Sequence, residues 1–411
     1  MSSESIYQAT CTAPVNIAVV KYWGKRDTSL ILPTNSSLSV TLSQDHLRSL
    51  TSARAITSSS TSKGGDRLWL NGTEESIPEG GRTARCLQEM RSIRKSYEDK
   101  DESLPKLSSY PLHIASENNF PTAAGLASSA SGLSALIATL STLYTLPSLG
   151  VSTSELSRIA RQGSGSACRS MFGGYVGWEM GTQSDGSDSV AYEVAPVEAW
   201  DDLHAIILVV SDKKKGTPST DGMQRTVKTS SLLQHRIKSV VPQRMERISK
   251  FIREKDFGGF AKETMEDSNQ FHAVCLDTTP PIFYLNDVSR MIIQLVEELN
   301  RANGTPLAAY TYDAGPNAVL YVEEKNVKLV LSTVLKYFPQ TEESFPDPFG
   351  MGVEKGSVGL PEGFRDNVIL ENELGTVSRI IHTKVGDGPR VLDSDKDGLL
   401  GKDGMPKKVV G

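Results

Sequence analysis

The chain has 411 residues, of which 38% are hydrophobic and 23% are charged, and its formal net charge is -5. This length is enough for two domains, or for one large two-lobed unit with separate cores. The negative charge argues against nucleic-acid or membrane binding through a general positive field, so any phosphate must be held by a local site. No stretch reaches the roughly 18 consecutive apolar residues of a membrane span. The N-terminus lacks a signal-peptide pattern, and the four cysteines lack metal or disulfide spacing. We therefore expect a cytoplasmic protein with no nucleic-acid or membrane partner.

The first predicted strand, residues 11–20, ends in a cluster of cations and aromatic residues: Lys21, Tyr22, Trp23 and Lys25. Paired cations at the end of a strand suit the wall of a pocket for an anionic ligand. The alternative is an edge strand with solvated lysines. Further along, residues 66–72 (DRLWLNG) predict a short strand closed by an Asn-Gly turn.

Residues 117–133 (ENNFPTAAGLASSASGL) join a strand-like segment to an apolar-periodic helix and consist largely of small and hydroxyl-bearing residues. The first N–H groups of a helix lack intrahelical partners, so a phosphate can bind them. The alternative is a serine-rich N-cap on a core helix. Ser152 and Glu155 then predict a capping box that opens the next helix.

A second polar loop contains Ser164, Ser166 and Arg169, with glycines at Gly163 and Gly165. Glycine permits unusual backbone angles, and an arginine fork binds carboxylate or phosphate through two hydrogen bonds. The alternative is a helix that simply ends in a cation.

The run LHAIILVVSD from residue 203 predicts a buried strand that begins a second lobe. A basic run and Ser219 follow it, and they indicate either a binding loop or a solvated turn. Farther on, Asp313 lies at the tip of a predicted strand-turn-strand unit. An aspartate there serves either turn formation or general-base catalysis.

The predicted domains are an N-terminal lobe over residues 1–200, a C-terminal lobe over 201–390 and a disordered tail over 391–411. The tail spacing D-x-D-x-D-G resembles the start of a calcium loop, but its twelfth position is Gly404 rather than glutamate, so we expect no calcium site. P-loop and helix-borne zinc motifs are absent from the sequence.

Pro121 to Ala130 (PTAAGLASSA) resembles the phosphate-binding loop of the galactokinase, homoserine kinase, mevalonate kinase and phosphomevalonate kinase (GHMP) superfamily. Four segments, APVNIAVVKYWGKRD, SENNFPTAAGLASSASG, RQGSGSACRSMFGGYVGWE and YTYDAGPNAV, are similar to the eukaryotic branch of the mevalonate diphosphate decarboxylase family within it. The resemblance extends to about Gly388. It implies an α+β, two-lobed GHMP-kinase fold, with an N-terminal lobe like ribosomal protein S5 domain 2 and a ferredoxin-like C-terminal lobe. It also implies a homodimer.

The resemblance further implies a reaction in which ATP and Mg²⁺ convert mevalonate 5-diphosphate to isopentenyl diphosphate, ADP, phosphate and carbon dioxide. Asp313 would take the proton of the C3 hydroxyl, Arg169 would hold the substrate carboxylate, and Lys21 would complete the catalytic set. Only Glu155 is available as an acidic metal ligand in the helix before the second loop, so Ser129 is the expected protein ligand of magnesium. The substrate-binding positions are Tyr22, Trp23, Lys25, Ser164, Gly165, Ser166, Arg169 and Ser219, and the ATP-binding positions are Asn119, Pro121, Ala124, Gly125, Leu126, Ala127, Ser128, Ser129 and Ala130.

Two other functions stay open at this point. A kinase of the same superfamily would phosphorylate mevalonate or phosphomevalonate and stop there, without releasing carbon dioxide. A non-catalytic ligand sensor on the same scaffold would turn over no ATP. A sensor has no need for a base, so the presence of Asp313 argues against this function.

Overall fold

The structure, a computed structural model, describes residues 6–57, 64–120, 128–210 and 216–407. Within these ranges no helix has the length and apolar character needed to cross a membrane. The strands are Tyr7–Pro14 (β1), Asn16–Val20 (β2), Lys25–Asp27 (β3), Leu32–Pro33 (β4), Ser37–Thr41 (β5), Arg48–Ala55 (β6), Arg67–Leu70 (β7), Thr73–Glu75 (β8), Leu112–Asn118 (β9), Tyr175–Trp178 (β10), Ala191–Ala195 (β11), Leu203–Val209 (β12), Ala309–Tyr312 (β13), Ala318–Glu323 (β14), Arg379–Lys384 (β15) and Arg390–Leu392 (β16). The helices are Arg82–Glu98 (α1), Ser128–Leu143 (α2), Thr153–Gly163 (α3), Ser219–Thr229 (α4), Ser231–His235 (α5), Val241–Glu254 (α6), Phe257–Leu276 (α7), Asp287–Asn303 (α8) and Glu324–Tyr337 (α9).

The first lobe contains two sheets. The larger has the order β16-β1-β6-β9-β7-β8, and the smaller has the order β11-β10-β5-β2. Helices α1, α2 and α3 contribute Met90, Ile137 and Ile159 to a core that also contains Ile114 of the larger sheet. Their apolar faces recur at helical spacing, which is why the sequence predicts them well. The predicted capping box at Ser152 is also confirmed, since its side chain accepts from the backbone of Glu155.

The second lobe is built on one antiparallel sheet with the order β13-β14-β12-β15. Along the chain its elements run strand, helices, strand, strand, helix, strand, which is the split βαβ arrangement of ferredoxin-like domains. The α+β, two-lobed fold class predicted from the resemblance is therefore confirmed.

Strand β12 is buried on both faces, and its two faces belong to different hydrophobic cores. Ile206 and Leu208 face the core beneath α8 and α9. Ile207, on the opposite face, belongs to a core shared with Ile17 and Val40 of the first lobe. A continuous apolar run is the expected sequence of such a doubly buried strand. The shared core holds the two lobes against each other and so fixes the walls of the cleft between them.

The segment after residue 390 differs from the disordered tail that the sequence predicts. Its first residues form β16, which pairs antiparallel with β1. Leu400 is 2% exposed and packs near Trp69, and the backbone carbonyl of Gly404 lies 2.8 Å from Nδ1 of His113. The acidic, glycine-rich composition favoured disorder, but strand pairing uses backbone groups that composition does not reveal. Through residue 407 this segment is part of the first lobe.

Candidate active site

A cavity of about 320 Å³ lies between the two lobes. Its walls come from the end of β2, the loop that follows α3, the start of α4 and the turn after β13. The structure thus brings together Lys21 and Asp313, which are 292 positions apart in the chain. The sequence-predicted residues that line it are Lys21, Tyr22, Trp23, Lys25, Ser129, Ser164, Gly165, Ser166, Arg169, Ser219 and Asp313.

Lys21 and Asp313 form an ion pair across the cleft. Nζ of Lys21 lies 2.7 Å from Oδ1 of Asp313 and donates a second hydrogen bond, also 2.7 Å long, to the carbonyl of Ala18. The lysine side chain is 3% exposed and the aspartate side chain is 36% exposed. The carboxylate is therefore accessible from the cavity, while the lysine that holds it is buried. A base held this way has a fixed position and still reaches a ligand.

Arg169 is placed by a 3₁₀ helix, Gly165–Met171, and is 2% exposed. Its Nε donates to Oγ of Ser39 at 3.0 Å and to Oδ1 of Asn16 at 3.2 Å, and Nη1 donates to Oγ of Ser37 at 2.5 Å. Burial lowers its pKa below the ordinary value for arginine. The partners close to the guanidinium are neutral, so the cation is available for an anionic ligand in the cavity.

The loop between α3 and the 3₁₀ helix forms a floor of small residues. A Cβ atom at Gly165 would lie 2.8 Å from the ring of Tyr22, so only glycine fits there without displacing the ring. Oη of Tyr22 is buried and has no hydrogen-bond partner within the described part of the chain. Burial also raises the pKa of this phenol well above its ordinary value, so the hydroxyl keeps its proton and can donate to a ligand.

Trp23 and Lys25 play different parts in the cavity wall. Trp23 is 2% exposed, donates from Nε1 to Oγ1 of Thr226 at 3.0 Å, and packs edge-on against Phe271. It therefore supports the wall more than it presents a polar group to the cavity.

Lys25 is half-buried. Its pKa is lowered, mainly by burial and also by the nearby Arg82 cation. Two cations this close indicate a site for a polyanion.

Arg82 is a cavity residue that the sequence reasoning missed. It is the first residue of α1, and its Nη2 donates to Oγ1 of Thr220 at 3.3 Å. A cation at a helix N-terminus is unfavourable with respect to the helix dipole. This unfavourable position was the one feature of the sequence that could have indicated a binding role for Arg82. The sequence reasoning also missed the residues that hold Arg169, which are Asn16, Ser37 and Ser39. Alternation along a strand predicts which side chains share a polar face, but not that this face contacts an arginine.

A second cavity, of about 350 Å³, adjoins the first and is lined mainly by apolar atoms of the first lobe. Leu68, Ile114 and Leu133 are among its lining residues, and Arg82 and Ser129 line both cavities. Oγ of Ser129 lies 3.4 Å from Oγ of Ser164, at the junction between them. An apolar cleft that opens onto a polar, cationic one suits a ligand with a flat ring and a charged chain.

The predicted ATP-binding residues divide into several groups. Pro121, Ala124, Gly125, Leu126 and Ala127 lie outside the described residues, as does the side chain of Ser128 at the start of α2. Ala130 is fully buried in the first-lobe core. Asn119 lines neither cavity, because its side chain bonds the backbone of Arg48 at 2.8 Å and of His46 at 3.1 Å. Of the predicted set, Ser129 is the one with a described side chain at the cavities.

No group of three histidine, cysteine, aspartate or glutamate side chains suited to a metal ion occurs among the described residues. Glu155, the acidic candidate in α3, accepts from Ser152 in the capping box. A magnesium ion held mainly by nucleotide phosphates and water needs no such cluster.

Comparison with known proteins identifies first the class and then the family. Residues 13–191 match the model of the diphosphomevalonate decarboxylase-like N-terminal domain, and residues 205–392 match that of the mevalonate 5-diphosphate decarboxylase C-terminal domain. The fold and the cation-lined cleft are those of the GHMP kinase class. Within it, this chain belongs to the diphosphomevalonate decarboxylase family.

Individual relatives agree over the whole length. The chain is 62% identical to diphosphomevalonate decarboxylase of Ganoderma lucidum, with 98% of this chain and 100% of that protein covered. A crystal structure of mevalonate 5-diphosphate decarboxylase, 50% identical, matches with a TM-score of 0.85 over 97% of this chain and 99% of that one. A further solved structure, of MDDEF in complex with MVAPP, AMPPCP and magnesium, is 29% identical and matches with a TM-score of 0.70 over 95% of this chain and 100% of that one.

Proposed function

We propose that this protein catalyses the ATP-dependent decarboxylation of mevalonate 5-diphosphate to isopentenyl diphosphate, with release of ADP, phosphate and carbon dioxide. The observation that carries the proposal is one cavity that holds a carboxylate paired with Lys21 at 2.7 Å and also the buried Arg169 guanidinium. A kinase needs the base at Asp313. A decarboxylase also needs a cation for the substrate carboxylate, and Arg169 supplies it.

The diphosphate of the substrate binds the cationic and hydroxyl-bearing end of the cavity. Lys25 and Arg82 provide charge there, and Tyr22 provides a donor that has no other partner in the described structure. Ser164 and Ser166 flank Gly165, where the missing side chain makes room for the Tyr22 ring. Ser219, at the start of α4, closes this end from the second lobe.

Asp313 accepts the proton of the C3 hydroxyl while that oxygen attacks the terminal phosphorus of ATP. The ammonium of Lys21 orients the carboxylate, and it favours the negative charge that develops during phosphoryl transfer. Positioning and charge stabilisation are the main demands of this step, and a rigid ion pair meets both.

Arg169 then controls the elimination. When the C3–O bond breaks and phosphate leaves, the electron pair of the C1–C2 bond forms the C2=C3 double bond, and the carboxylate departs as carbon dioxide. That bond must lie parallel to the empty orbital at C3, so the carboxylate has to be held in one orientation. The three hydrogen bonds that the guanidinium donates to Ser37, Ser39 and Asn16 fix its orientation.

The second cavity is the proposed site of the nucleotide, with the adenine and ribose against its apolar wall and the phosphates directed towards Ser129. Magnesium, when bound, neutralises the phosphate charge. Ser129 at the junction of the cavities would hold it. This arrangement is supported by the shared lining of the two cavities by Arg82 and Ser129.

We also propose a cytoplasmic homodimer. The four cysteines are all free and buried, which suits a reducing compartment. Sedimentation equilibrium should give twice the mass of one chain, and the mass of a single chain would contradict the dimer.

The experiment uses mevalonate 5-diphosphate labelled at C1, with and without ATP and Mg²⁺. The proposal predicts equal amounts of ADP and labelled carbon dioxide when ATP is present, and neither without it. ADP without carbon dioxide would identify a kinase, and the absence of both would favour a ligand sensor. Mevalonate 5-phosphate is the control substrate, and it should react poorly because it lacks one anionic group for Lys25 and Arg82.

A further inference from the structure

The peptide of Lys21 is held from the opposite lobe by two buried side chains. Its N–H donates to Oδ2 of Asp267 at 2.7 Å, and its carbonyl accepts from Nη2 of Arg236 at 3.0 Å. Lys21 follows β2 in the first lobe, whereas Asp267 lies on α7 and Arg236 on the π-helical turn before α6. The contact therefore crosses the interface that separates the two walls of the cleft.

Asp267 and Arg236 also bind each other, with contacts of 2.8 and 3.0 Å, and both side chains are 0% exposed. Burial opposes ionisation of Asp267, but Arg236 and Arg244 lower its pKa below the ordinary value, so it stays charged. A buried ion pair is seldom more stabilising than apolar residues of the same size, because both charges must leave water. Stability alone does not account for this pair, whereas the hydrogen bonds to the Lys21 peptide give it a specific task.

The same helix also holds the other member of the catalytic ion pair. Oγ of Ser268 accepts from the backbone N–H of Tyr312 at 3.0 Å, one residue before Asp313. His272, one turn further along α7, lies edge-on to the ring of Tyr312, with the two ring centroids 6.2 Å apart. One face of α7 thus fixes the backbone at both ends of the Lys21–Asp313 contact.

We propose that Asp267 and Arg236 are positioning residues for the reaction, which hold the Lys21 peptide so that its ammonium meets Asp313 across the cleft. This inference rests on the proposed function of the same site. Lys21 and Asp313 belong to different lobes, so a small shift of one lobe changes their separation directly. A displacement of about 1 Å in a catalytic group costs on the order of 100-fold in rate.

The test compares Asp267→Asn with a matched control on the same helix, Glu263→Gln. Glu263 is 6% exposed and accepts from Nε of Arg244 at 2.8 Å, so its loss also leaves a buried arginine short of a partner. Among the described residues, the hydrogen bonds of Glu263 go to Arg244 and Arg247 of α6 and not to Lys21. Both variants should therefore lose thermal stability, and only Asp267→Asn should lose activity. We expect kcat to fall on the order of 100-fold in Asp267→Asn, with KM for mevalonate 5-diphosphate changed less than about threefold. In Glu263→Gln, kcat should stay within about twofold of wild type.

A double-mutant cycle separates positioning from general loosening of the fold. If Asp267 acts through Lys21, adding Asp267→Asn to Lys21→Met should lower kcat by less than about twofold further. A full multiplicative loss in the double variant would overturn the inference. So would an equal fall in kcat for Asp267→Asn and Glu263→Gln, or an unchanged kcat in Asp267→Asn.

If Asp267→Asn does not fold, Ser268→Ala is the variant that tests the role of α7. It removes one hydroxyl and leaves the charges in place, and we expect kcat to fall about tenfold at nearly constant KM. An unchanged kcat in this variant would contradict the role of α7. If wild-type protein itself releases no ADP and carbon dioxide, the proposed function fails. If wild type is active and these variants match it, the proposed function stands and the positioning role alone fails.

Discussion

Replacing Asp313 by asparagine is the most informative single change at the candidate active site. The amide has the shape of the carboxylate but cannot accept a proton at neutral pH. Lys21 would keep its 2.7 Å hydrogen bond to the carbonyl of Ala18 and lose the charged partner at the same distance. A general base contributes about 100- to 10,000-fold to a rate, which is about 3–5.5 kcal/mol in the activation barrier. We expect kcat to fall within that range.

The folded state should be affected far less. The Asp313 side chain is 36% exposed, so water screens its ion pair, and the loss in stability should be about 1–2 kcal/mol. Substrate binding depends chiefly on the diphosphate contacts, so KM for mevalonate 5-diphosphate should change by less than about threefold. The fall in kcat therefore cannot be explained by unfolding or by lost affinity.

The assay couples ADP release to a spectrophotometric signal and measures carbon dioxide in parallel. Asp387→Asn is the matched control, since Asp387 is 48% exposed and pairs with Arg390 at 2.7 Å far along the chain from the catalytic residues. Its kcat should equal that of wild type. If Asp313→Asn keeps more than about one tenth of the wild-type kcat, Asp313 is not the base.

Three other predictions concern the cavity floor, a buried histidine and the C-terminal segment. Gly165→Ala places a Cβ atom 2.8 Å from the Tyr22 ring and should raise KM for mevalonate 5-diphosphate about tenfold in steady-state kinetics; an unchanged KM would mean that the ring moves freely. Burial, then the neighbouring His204, lowers the pKa of His382 to about 3. The unfolded chain therefore binds the extra proton below about pH 6.5, and the free energy of unfolding should fall by about 1.4 kcal/mol for each pH unit below it. In urea unfolding from pH 7 to 5, His382→Gln should lose less stability than wild type, and equal losses would contradict this assignment. Deletion of the chain from residue 390 onward uncovers β1 and removes the buried Leu400. In urea unfolding, the free energy of unfolding should fall by about 2–5 kcal/mol, with kcat unchanged. An unchanged free energy of unfolding would mean that this packing is unimportant.

Local patterns allowed much of the fold to be predicted. The Asn71-Gly72 turn closes the hairpin of β7 and β8 with positive φ at both residues, as an Asn-Gly pair predicts. The apolar run of β12 is buried throughout, as a strand inside a core should be. These features depend on periodicity and on turn chemistry, which a single sequence carries.

Features that depend on contacts between distant segments were not predictable in the same way. Nothing near Lys21 in the sequence indicates that Asp267 and Arg236 hold its peptide from the other lobe. Arg82 was not among the predicted site residues, yet it lines both cavities. The C-terminal segment was expected to be disordered because its side chains are polar, although β16 pairs through its backbone.

The resemblance to a known family supplied what local patterns could not. Lys21, Arg169 and Asp313 come from three separate segments, and each of them alone had an ordinary structural explanation. The motifs placed them in one site, and the structure puts all three on one cavity. Their individual roles stay predictions that the variants above test.

The central claim is that the C3 hydroxyl is phosphorylated and then leaves as phosphate while carbon dioxide is lost. Mevalonate 5-diphosphate carrying ¹⁸O in the C3 hydroxyl tests this most directly, with mass spectrometry of the inorganic phosphate released by wild-type protein in the presence of ATP and Mg²⁺. We predict one ¹⁸O atom in each phosphate. Unlabelled phosphate, with the label recovered in water, would contradict the mechanism.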